Sequence, residues 1–136
     1  MSMKFTYTVK VYYEDTDAEG VVYYANYLKF LERARTESIY SLGLTNTKLL
    51  NDYGIYIVVR SCNINYLKPA KFEDKLTIVS TIESITRTSF VMKQIIKRDN
   101  ELISDAEVRL ITVNQQGRPS KIPDILESKF KNYLSS

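Results

Sequence analysis

The residues best suited to chemistry in this sequence form a short acidic turn directly before a helical stretch. Asp17 stands in the run Tyr-Glu-Asp-Thr-Asp-Ala-Glu-Gly at positions 13–20, and a helical period begins at about Ala25. A helix N-terminus presents unpaired N–H groups and partial positive charge, which can polarise a carbonyl group or hold an oxyanion. A carbonyl bound to the amides near Tyr24 would therefore lie close to Asp17, whose carboxylate can act as a nucleophile or as a general base.

The same acidic residues have other interpretations. An Asp-x-Asp pair before a helix is most often turn and capping chemistry, and we interpret Asp15 as a turn-forming residue. Glu14, Asp15 and Glu19 place three further carboxylates close to Asp17 in the chain. A Mg²⁺ site is a weaker interpretation, because a single Asp-x-Asp pair is a poor signal for a metal.

The elements that must position these residues follow from the hydrophobic period. A helix over 25–42 carries one stripe at spacings of three and four residues, made of Tyr27, Leu31, Ala34, Ser38 and Leu42. Gly43 ends this helix. Strand-like runs cover 4–14, 55–67, 74–85, 89–98 and 102–114, with a helical turn in 44–53 and an amphipathic helix over 122–134. The pattern predicts an α+β fold, with an antiparallel sheet wrapped around one long central helix.

The bulk composition excludes several classes of function. The chain has 136 residues, a net charge of +3, one cysteine and no histidine. The lack of histidine removes Ser-His-Asp and Cys-His catalysis and histidine metal ligation. The charge is too small to indicate nucleic acid binding, and no apolar run is long enough to span a bilayer. We therefore expect one domain, 1–136, in the cytoplasm, with Cys62 as a small core residue.

A long motif runs through the acidic turn and into the helix. It reads Y-x-D-T-D-x-x-G-V-V-Y-x-x-N-Y-L from position 13, followed by E-R-A-R at 32–35. The motif resembles the signature of the hotdog-fold thioesterases, in the branch that contains 4-hydroxybenzoyl-CoA thioesterase and the YbgC-type acyl-CoA thioesterases associated with the Tol-Pal envelope system. The resemblance covers about 9–130 and implies a single hotdog thioesterase domain.

The resemblance also implies roles for individual residues. Asp17 matches the catalytic carboxylate of the family, and the amide near Tyr24 matches the group that polarises the thioester carbonyl. Many YbgC-type members have histidine at the position of Tyr24, so a backbone role can be carried over and an imidazole role cannot. Glu32 matches a position that lines the acyl pocket near the dimer interface, although Glu32 can also be explained as part of a solvated helix face.

Further residues complete the predicted substrate site. We expect Tyr23 and Tyr27, with Tyr24, to lie near the ligand pocket. The turn Arg87, Thr88 and Ser89 is similar to an R-x-S segment that contributes to coenzyme A binding in relatives, and arginine and hydroxyl groups suit phosphate. An ordinary polar turn explains this triplet equally well without the family. Weaker candidates for the same phosphates are Lys68, Lys71, Arg118 and Lys121.

The sequence therefore predicts an acyl-CoA thioesterase that releases a free carboxylic acid and coenzyme A. Neither a metal nor a redox cofactor is implied, because coenzyme A is part of the substrate. The resemblance implies a homodimer or homotetramer, since an isolated sheet would leave an edge open. Both coenzyme A and an acyl carrier protein fit as the carrier of the acyl group. The alternative function is a non-catalytic module that binds acyl-CoA or an acyl carrier protein, for which Asp17 would not be needed.

Overall fold

The computed structural model describes residues 3–135, which form five strands and three α-helices. The strands are β1 (Phe5–Lys10), β2 (Tyr56–Tyr66), β3 (Lys75–Ile85), β4 (Ser89–Arg98) and β5 (Glu101–Val113). The helices are α1 (Tyr24–Ser41), α2 (Asn46–Tyr53) and α3 (Asp124–Phe130), and single 3-10 turns cover Tyr13–Asp15 and Lys131–Tyr133.

The five strands form one sheet in the order β1-β3-β4-β5-β2, and every neighbouring pair is antiparallel. The predicted antiparallel sheet is therefore confirmed. Both β1 and β2 are edge strands, but β1 has only six residues and β2 has eleven. The long free edge of the sheet thus belongs to β2.

Helix α1 packs against the inner face of this sheet. Its buried residues follow the predicted period and are Tyr27, Phe30, Leu31, Ala34, Ser38 and Ile39. The hydroxyl of Ser38 donates to the carbonyl of Ala34 at 2.7 Å, so a small polar residue is accommodated inside the contact. The opposing sheet surface includes the alternating buried residues of β3, Leu76, Ile78, Ser80 and Ile82. This packing fixes the position of the N-terminal end of α1 relative to the sheet.

Two expectations from the sequence need correction. Strand β1 ends at Lys10 and does not continue to Glu14, because the backbone of Tyr12–Asp15 closes a turn in which Asp15 Oδ2 accepts the N–H of Tyr12 at 2.9 Å. Cys62 is exposed and is not a core residue. It lies in β2, where the edge position leaves much of the strand uncovered.

The chain ends are joined to the same core. The ring of Tyr133 stacks on that of Phe5, with centroids 3.7 Å apart, and both residues are buried. Within 3–135, no helix is both long enough and apolar enough to cross a membrane.

Candidate active site

A tight turn holds Asp17 in front of helix α1. Thr16 and Val22 form an antiparallel bridge, and inside it the N–H of Asp17 donates to the carbonyl of Val21 at 2.9 Å. Gly20 donates its N–H to the carbonyl of Asp17 at 3.0 Å and has φ +80°, a left-handed conformation that favours glycine. The side chain of Asp17 accepts the N–H of Glu19 through Oδ1 at 2.9 Å. The turn therefore fixes the Asp17 carboxylate through a bond to one of its two oxygens.

The same turn is attached to the start of α1. The carbonyl of Asp15 accepts two hydrogen bonds, from the N–H of Tyr23 at 3.1 Å and from Nδ2 of Asn26 at 2.8 Å. No side chain caps the helix: Tyr23 occupies the N-cap position without a side-chain hydrogen bond. Among the hydrogen bonds within 3–135, none engages the N–H of Tyr24 or Ala25. The first turn of α1 thus keeps donors for an external acceptor.

Asp17 and the start of α1 line a common recess of about 410 Å³, here called the Asp17 recess. Its lining residues come from the acidic turn, the first helical turn and the segment after β2. They are Asp17, Glu19, Val21, Val22, Tyr23, Tyr24, Tyr27, Tyr66, Leu67, Lys68 and Pro69. The structure therefore brings together a carboxylate, free helix-terminal amides and a group of aromatic rings.

Three tyrosines form the aromatic wall of the Asp17 recess. The ring of Tyr66 lies 4.8 Å from that of Tyr24 and 5.2 Å from that of Tyr27. Tyr27 is buried, and its hydroxyl oxygen accepts the N–H of Ala70 at 3.0 Å. Burial raises the pKa of Tyr27 because it disfavours the phenolate, so the hydroxyl is neutral at physiological pH. Tyr27 therefore also fixes the backbone beside the recess.

The crossover 67–74, between β2 and β3, forms the opposite wall. The carbonyl of Ala70 accepts the N–H of Val22 at 2.8 Å, which ties the crossover to the segment that enters α1. Nη1 of Arg98 donates to the carbonyl of Pro69 at 3.1 Å and pairs with Asp74 at 2.6 Å. Its Nη2 pairs with Glu101 at 2.6 Å.

These pairs continue to the edge of the recess, since Glu101 also binds Nζ of Lys68 at 2.6 Å. The hydrogen bonds from Lys68 and Arg98 lower the pKa of Glu101 to about 2, and those to Glu101 and Asp74 raise the pKa of Arg98. A chain of four charged residues thus joins the crossover to the β4–β5 hairpin.

Comparisons with known proteins identify the family and confirm the fold of this chain. Residues 19–104 match the family described as the thioesterase superfamily. The chain belongs to the thioesterase superfamily. The acyl-CoA thioester hydrolase YbgC of Escherichia coli O6:H1 is 39% identical over 129 residues, which cover 93% of this chain and 96% of that protein.

Other relatives extend over similar lengths. The acyl-CoA thioesterase YbgC of Haemophilus influenzae is 35% identical and covers 93% of both chains. The crystal structure of a probable thioesterase from Bartonella henselae has a TM-score of 0.84 and 34% identity, and covers 89% of this chain and 100% of that chain. The protein is therefore a thioester hydrolase with the hotdog fold, and the predicted resemblance is confirmed.

Other predicted site residues of this thioesterase lie away from the Asp17 recess. Glu32 lines a second recess farther along α1, together with Arg35. The turn Arg87–Ser89 follows the end of β3, whereas the start of β3 lies beside the crossover of the Asp17 recess. The ends of an eleven-residue strand are roughly 33 Å apart. Within one chain, the predicted coenzyme A residues are therefore remote from Asp17.

In this turn the hydroxyl of Ser89 is used internally, by the neighbouring Thr86. Oγ1 of Thr86 accepts the N–H of Ser89 at 3.0 Å and lies 2.6 Å from its Oγ. The N–H of Thr112 donates to the carbonyl of Thr88 at 2.9 Å, and the N–H of Ile122 donates to the carbonyl of Arg87 at 2.9 Å. The side chain of Arg87 extends from an exposed residue of this rigid turn.

Sequence reasoning missed part of the recess. It did not propose Tyr66, Leu67 or Pro69, and it considered Lys68 only as a weak phosphate ligand. The signal available was a strand that ends in Tyr-Leu-Lys-Pro, but the sequence did not indicate that this strand end meets the start of α1. In the described part of the chain, no group of three or more His, Cys, Asp or Glu residues is arranged to hold a metal ion.

Proposed function

We propose that this thioesterase hydrolyses acyl-CoA thioesters in the Asp17 recess. The observation that carries the proposal is that Asp17 and the uncapped first turn of α1 line the same recess. The relatives in Escherichia coli and Haemophilus influenzae, both named as acyl-CoA thioester hydrolases or thioesterases, support coenzyme A as the carrier. The products are a free carboxylic acid and coenzyme A.

In the proposed mechanism, the thioester carbonyl oxygen accepts a hydrogen bond from the N–H of Tyr24. This amide and the partial positive charge of the helix end stabilise the negative charge that develops on that oxygen. The exposed side chain of Tyr24 is not required for this role. Tyr23, Tyr27 and Tyr66 offer apolar ring surface to the acyl group beside the reacting carbonyl.

Asp17 supplies the reacting carboxylate in one of two ways. As a nucleophile, it attacks the carbonyl carbon and the C–S bond breaks, so that coenzyme A leaves as a thiolate. One water then cleaves the resulting anhydride, which restores the Asp17 carboxylate, and a proton released in this step passes to the thiolate. As a general base, it takes a proton from a water molecule that attacks the same carbon, and this proton passes to the departing sulfur. Both routes consume one water and give the same products.

We further propose that the active site is completed by a second copy of the chain. Strand β2 has a free edge of eleven residues, and its exposed apolar residues include Val58, Val59 and Tyr66. An unpaired strand of this length is a template for another strand. Two copies related by a two-fold axis at this edge pair their β2 strands antiparallel and form a ten-stranded sheet.

This pairing accounts for the remote position of the predicted coenzyme A residues. The turn at Arg87 lies at the end of the sheet where β2 begins, and Asp17 lies at the end where β2 finishes. Antiparallel pairing reverses these ends, so Arg87 of the partner subunit lies at the same end as Asp17. We propose that the partner's turn binds the phosphates of coenzyme A while Asp17 acts on the thioester.

The replacement Asp17→Asn tests the catalytic assignment. Asn keeps an oxygen that can accept the N–H of Glu19, so the turn is preserved, but it loses the charge needed for attack or proton transfer. We expect kcat for an acyl-CoA that the wild type accepts to fall by about 10²- to 10⁴-fold. Release of free thiol, followed with a colour reagent, gives the rate.

Two matched variants control for charge and for the turn. Glu19→Gln removes a carboxylate from the same recess, and Asp15→Asn alters the neighbouring turn residue. We expect both to keep most of the turnover. Near wild-type rates in Asp17→Asn, or a dead Asp15→Asn enzyme with an active Asp17→Asn, would show that the catalytic carboxylate is assigned wrongly.

A further inference from the structure

The second recess of the molecule lies between the C-terminal half of α1 and the β2 side of the sheet, and it has a volume of about 130 Å³. We call it the Arg35 recess. Its polar residues include Glu32, Arg35, Thr36 and Asn46. Its apolar residues are Ile39, Ile57, Val59, Phe90, Met92, Leu110 and Phe130. A pocket with apolar walls and a few polar groups suits a small organic ligand or one end of a longer ligand.

Arg35 is the unusual residue of this recess, because it is a partly buried cation without an ion pair. Nη1 donates to Oε1 of Gln94 at 3.0 Å. Within 3–135, no carboxylate oxygen lies within 4.0 Å of the guanidinium, since the five ion pairs there involve other residues. Burial lowers the pKa of Arg35, and the nearby Cys62 and Glu32 partly offset this effect.

The remaining donors of Arg35 are open to the recess. The single buried side-chain nitrogen or oxygen without a partner in the described residues is Oγ of Ser104. The unbonded nitrogens of Arg35 are therefore not sealed inside the protein, and the residue lines the recess. A guanidinium has five N–H donors in a fork that matches a carboxylate, and most of them have no protein partner here.

Gln94 fixes the orientation of this guanidinium. Gln94 is fully buried in β4, and its Nε2 donates to the carbonyl of Leu31 and to Oγ of Ser80, each at 3.1 Å. These two bonds determine that Oε1 faces Arg35. The arginine is thus held by a rigid polar group from the sheet, which is the arrangement expected of a preorganised binding residue.

The two recesses lie along the same side of α1, where the helix faces β2. Tyr24, Leu28 and Arg35 share one face of α1, because eleven residues complete about three helical turns. Opposite them, the inner-facing residues Cys62 and Tyr66 of β2 remain exposed, as does Leu28. We infer that the space between this face of α1 and β2 forms a groove from the amide of Tyr24 to Arg35, over roughly 16 Å of helix.

We propose that the Arg35 recess binds the distal carboxylate of the acyl group, so that the preferred substrates are thioesters of dicarboxylic acids. This inference rests on the proposed function, since it places the thioester carbonyl at the amide of Tyr24. The acyl chain occupies the groove, its methylene groups contact Leu28 and β2, and its terminal carboxylate pairs with the open donors of Arg35.

Glu32 defines the limits of this specificity. Its carboxylate lies in the same recess but is turned to Thr36, whose hydroxyl donates to Oε1 at 3.2 Å. Glu32 opposes a second negative charge, so the bond from Arg35 to a substrate carboxylate must exceed this repulsion. Replacing Glu32 and replacing Arg35 should consequently change the preference in opposite directions.

The test compares substrates of matched length. Succinyl-, adipoyl-, suberoyl- and sebacoyl-CoA carry a terminal carboxylate, and butyryl-, hexanoyl-, octanoyl- and decanoyl-CoA end in a methyl group. At one length or more, we expect wild-type kcat/KM to favour the carboxylated member by about tenfold or more, because a charge-assisted hydrogen bond contributes at that level. Because both substrates of a pair are assayed with the same enzyme, the ratio of their kcat/KM values does not depend on the fraction of enzyme that is folded.

Variants assign the preference to Arg35. We expect Arg35→Gln to lower the ratio of kcat/KM for the carboxylated over the methyl-ended substrate to about one. Arg35→Lys should restore part of this preference, and Glu32→Gln should increase it. The control Arg33→Gln removes an equal charge from the exposed face of α1 and should leave the ratio unchanged. An equal loss on both substrate series in Arg35→Gln would mean that Arg35 acts only on the fold, and the proposal would be wrong.

A binding measurement separates this proposal from the catalytic one. Thioether analogues of the suberoyl and octanoyl substrates cannot be hydrolysed, and calorimetry gives their Kd with the wild type and with Arg35→Gln. Tighter binding of the carboxylated analogue, lost in the variant, supports the Arg35 site even if turnover fails. Equal Kd values for both analogues, or a wild type that hydrolyses both series equally at every length, would overturn the proposal and leave the Asp17 assignment intact.

Discussion

At the scale of single residues, several side chains stabilise the backbone and also line a recess. Asp17 accepts the N–H of Glu19 with one carboxylate oxygen and lines the recess before α1. Tyr27 presents its ring to Tyr66, while its hydroxyl holds Ala70. A turn aspartate and a packed tyrosine are common in proteins of every function. What distinguishes Asp17 and Tyr27 here is that both line one recess at a helix N-terminus.

The hydroxyl of Tyr27 gives a prediction at this scale. In Tyr27→Phe, the buried N–H of Ala70 loses its acceptor, and we expect the free energy of unfolding to fall by about 1–3 kcal/mol. Urea denaturation measures the change. Tyr40→Phe removes an exposed hydroxyl from the same helix and should change stability by about 0.5 kcal/mol or less. Equal effects of the two replacements would show that the bond to Ala70 contributes nothing.

At the scale of elements, the crossover 67–74 is the segment that assembles the site. Its Ala70 carbonyl accepts the N–H of Val22, and its Ala70 N–H donates to the hydroxyl of Tyr27. Arg98 of strand β4 donates to the carbonyl of Pro69. The acidic turn, helix α1 and the β4–β5 hairpin are thus all connected through one irregular stretch. Its ion pairs determine how firmly Lys68 and Pro69 are placed beside Asp17.

Glu101 gives a pH prediction for this connection. Its pKa is lowered from 4.5 to about 2 in the folded protein by Lys68 and Arg98. A carboxylate with a depressed folded pKa contributes stability above its unfolded pKa, and this contribution disappears as the pH falls from about 4.5 towards about 2. In Glu101→Gln the contribution is absent at every pH.

Urea denaturation of both proteins over a pH series measures this effect. The wild type should be more stable than Glu101→Gln at neutral pH, and the difference should shrink on acidification. Asp99→Asn is the matched control, because it removes a carboxylate from the same turn and asparagine tolerates the left-handed φ of 55° at that position. A constant difference at all pH values would mean that Glu101 does not titrate with the proposed shift.

At the scale of the whole molecule, the long edge of β2 is the surface through which we propose that two copies pair. One chain has Asp17 at one end of the sheet and Arg87 at the other. In the proposed dimer, two-fold pairing at β2 brings Asp17 of one subunit and Arg87 of the partner subunit to the same site. The proposed dimer and the proposed coenzyme A site are therefore linked, and one experiment tests both.

Arg87→Ala should weaken turnover of acyl-CoA substrates more than turnover of short thioesters without a nucleotide, because arginine contacts phosphate.

Coexpression of Arg87→Ala with Asp17→Asn should then recover part of the activity, since a mixed dimer contains one site with both native residues. Thiol release measures both effects, and light scattering at micromolar concentration should give at least a dimer. A monomer with full turnover, or mixed dimers without recovery, would contradict the shared site.

Local spacing in the chain is enough to predict the helices and strands and to single out Asp17 as the candidate reacting group. The period of Tyr27, Leu31, Ala34 and Ser38 specified the buried face of α1, and alternation in β3 specified its inner face. The run around Asp17 specified the turn before the helix and the resemblance to the family. These features depend on residues close together in the chain, so local spacing is sufficient to predict them.

Which distant segments meet follows from the packing of the folded chain. The order β1-β3-β4-β5-β2 places the end of β2 beside the start of α1, which brings Tyr66 and Lys68 to Asp17 and leaves Cys62 exposed on an edge strand. The same order separates Arg87 from Asp17 and leaves Arg35 facing Gln94 in the Arg35 recess. Strand order and helix position depend on packing between segments far apart in sequence, and local periodicity carries no information about either.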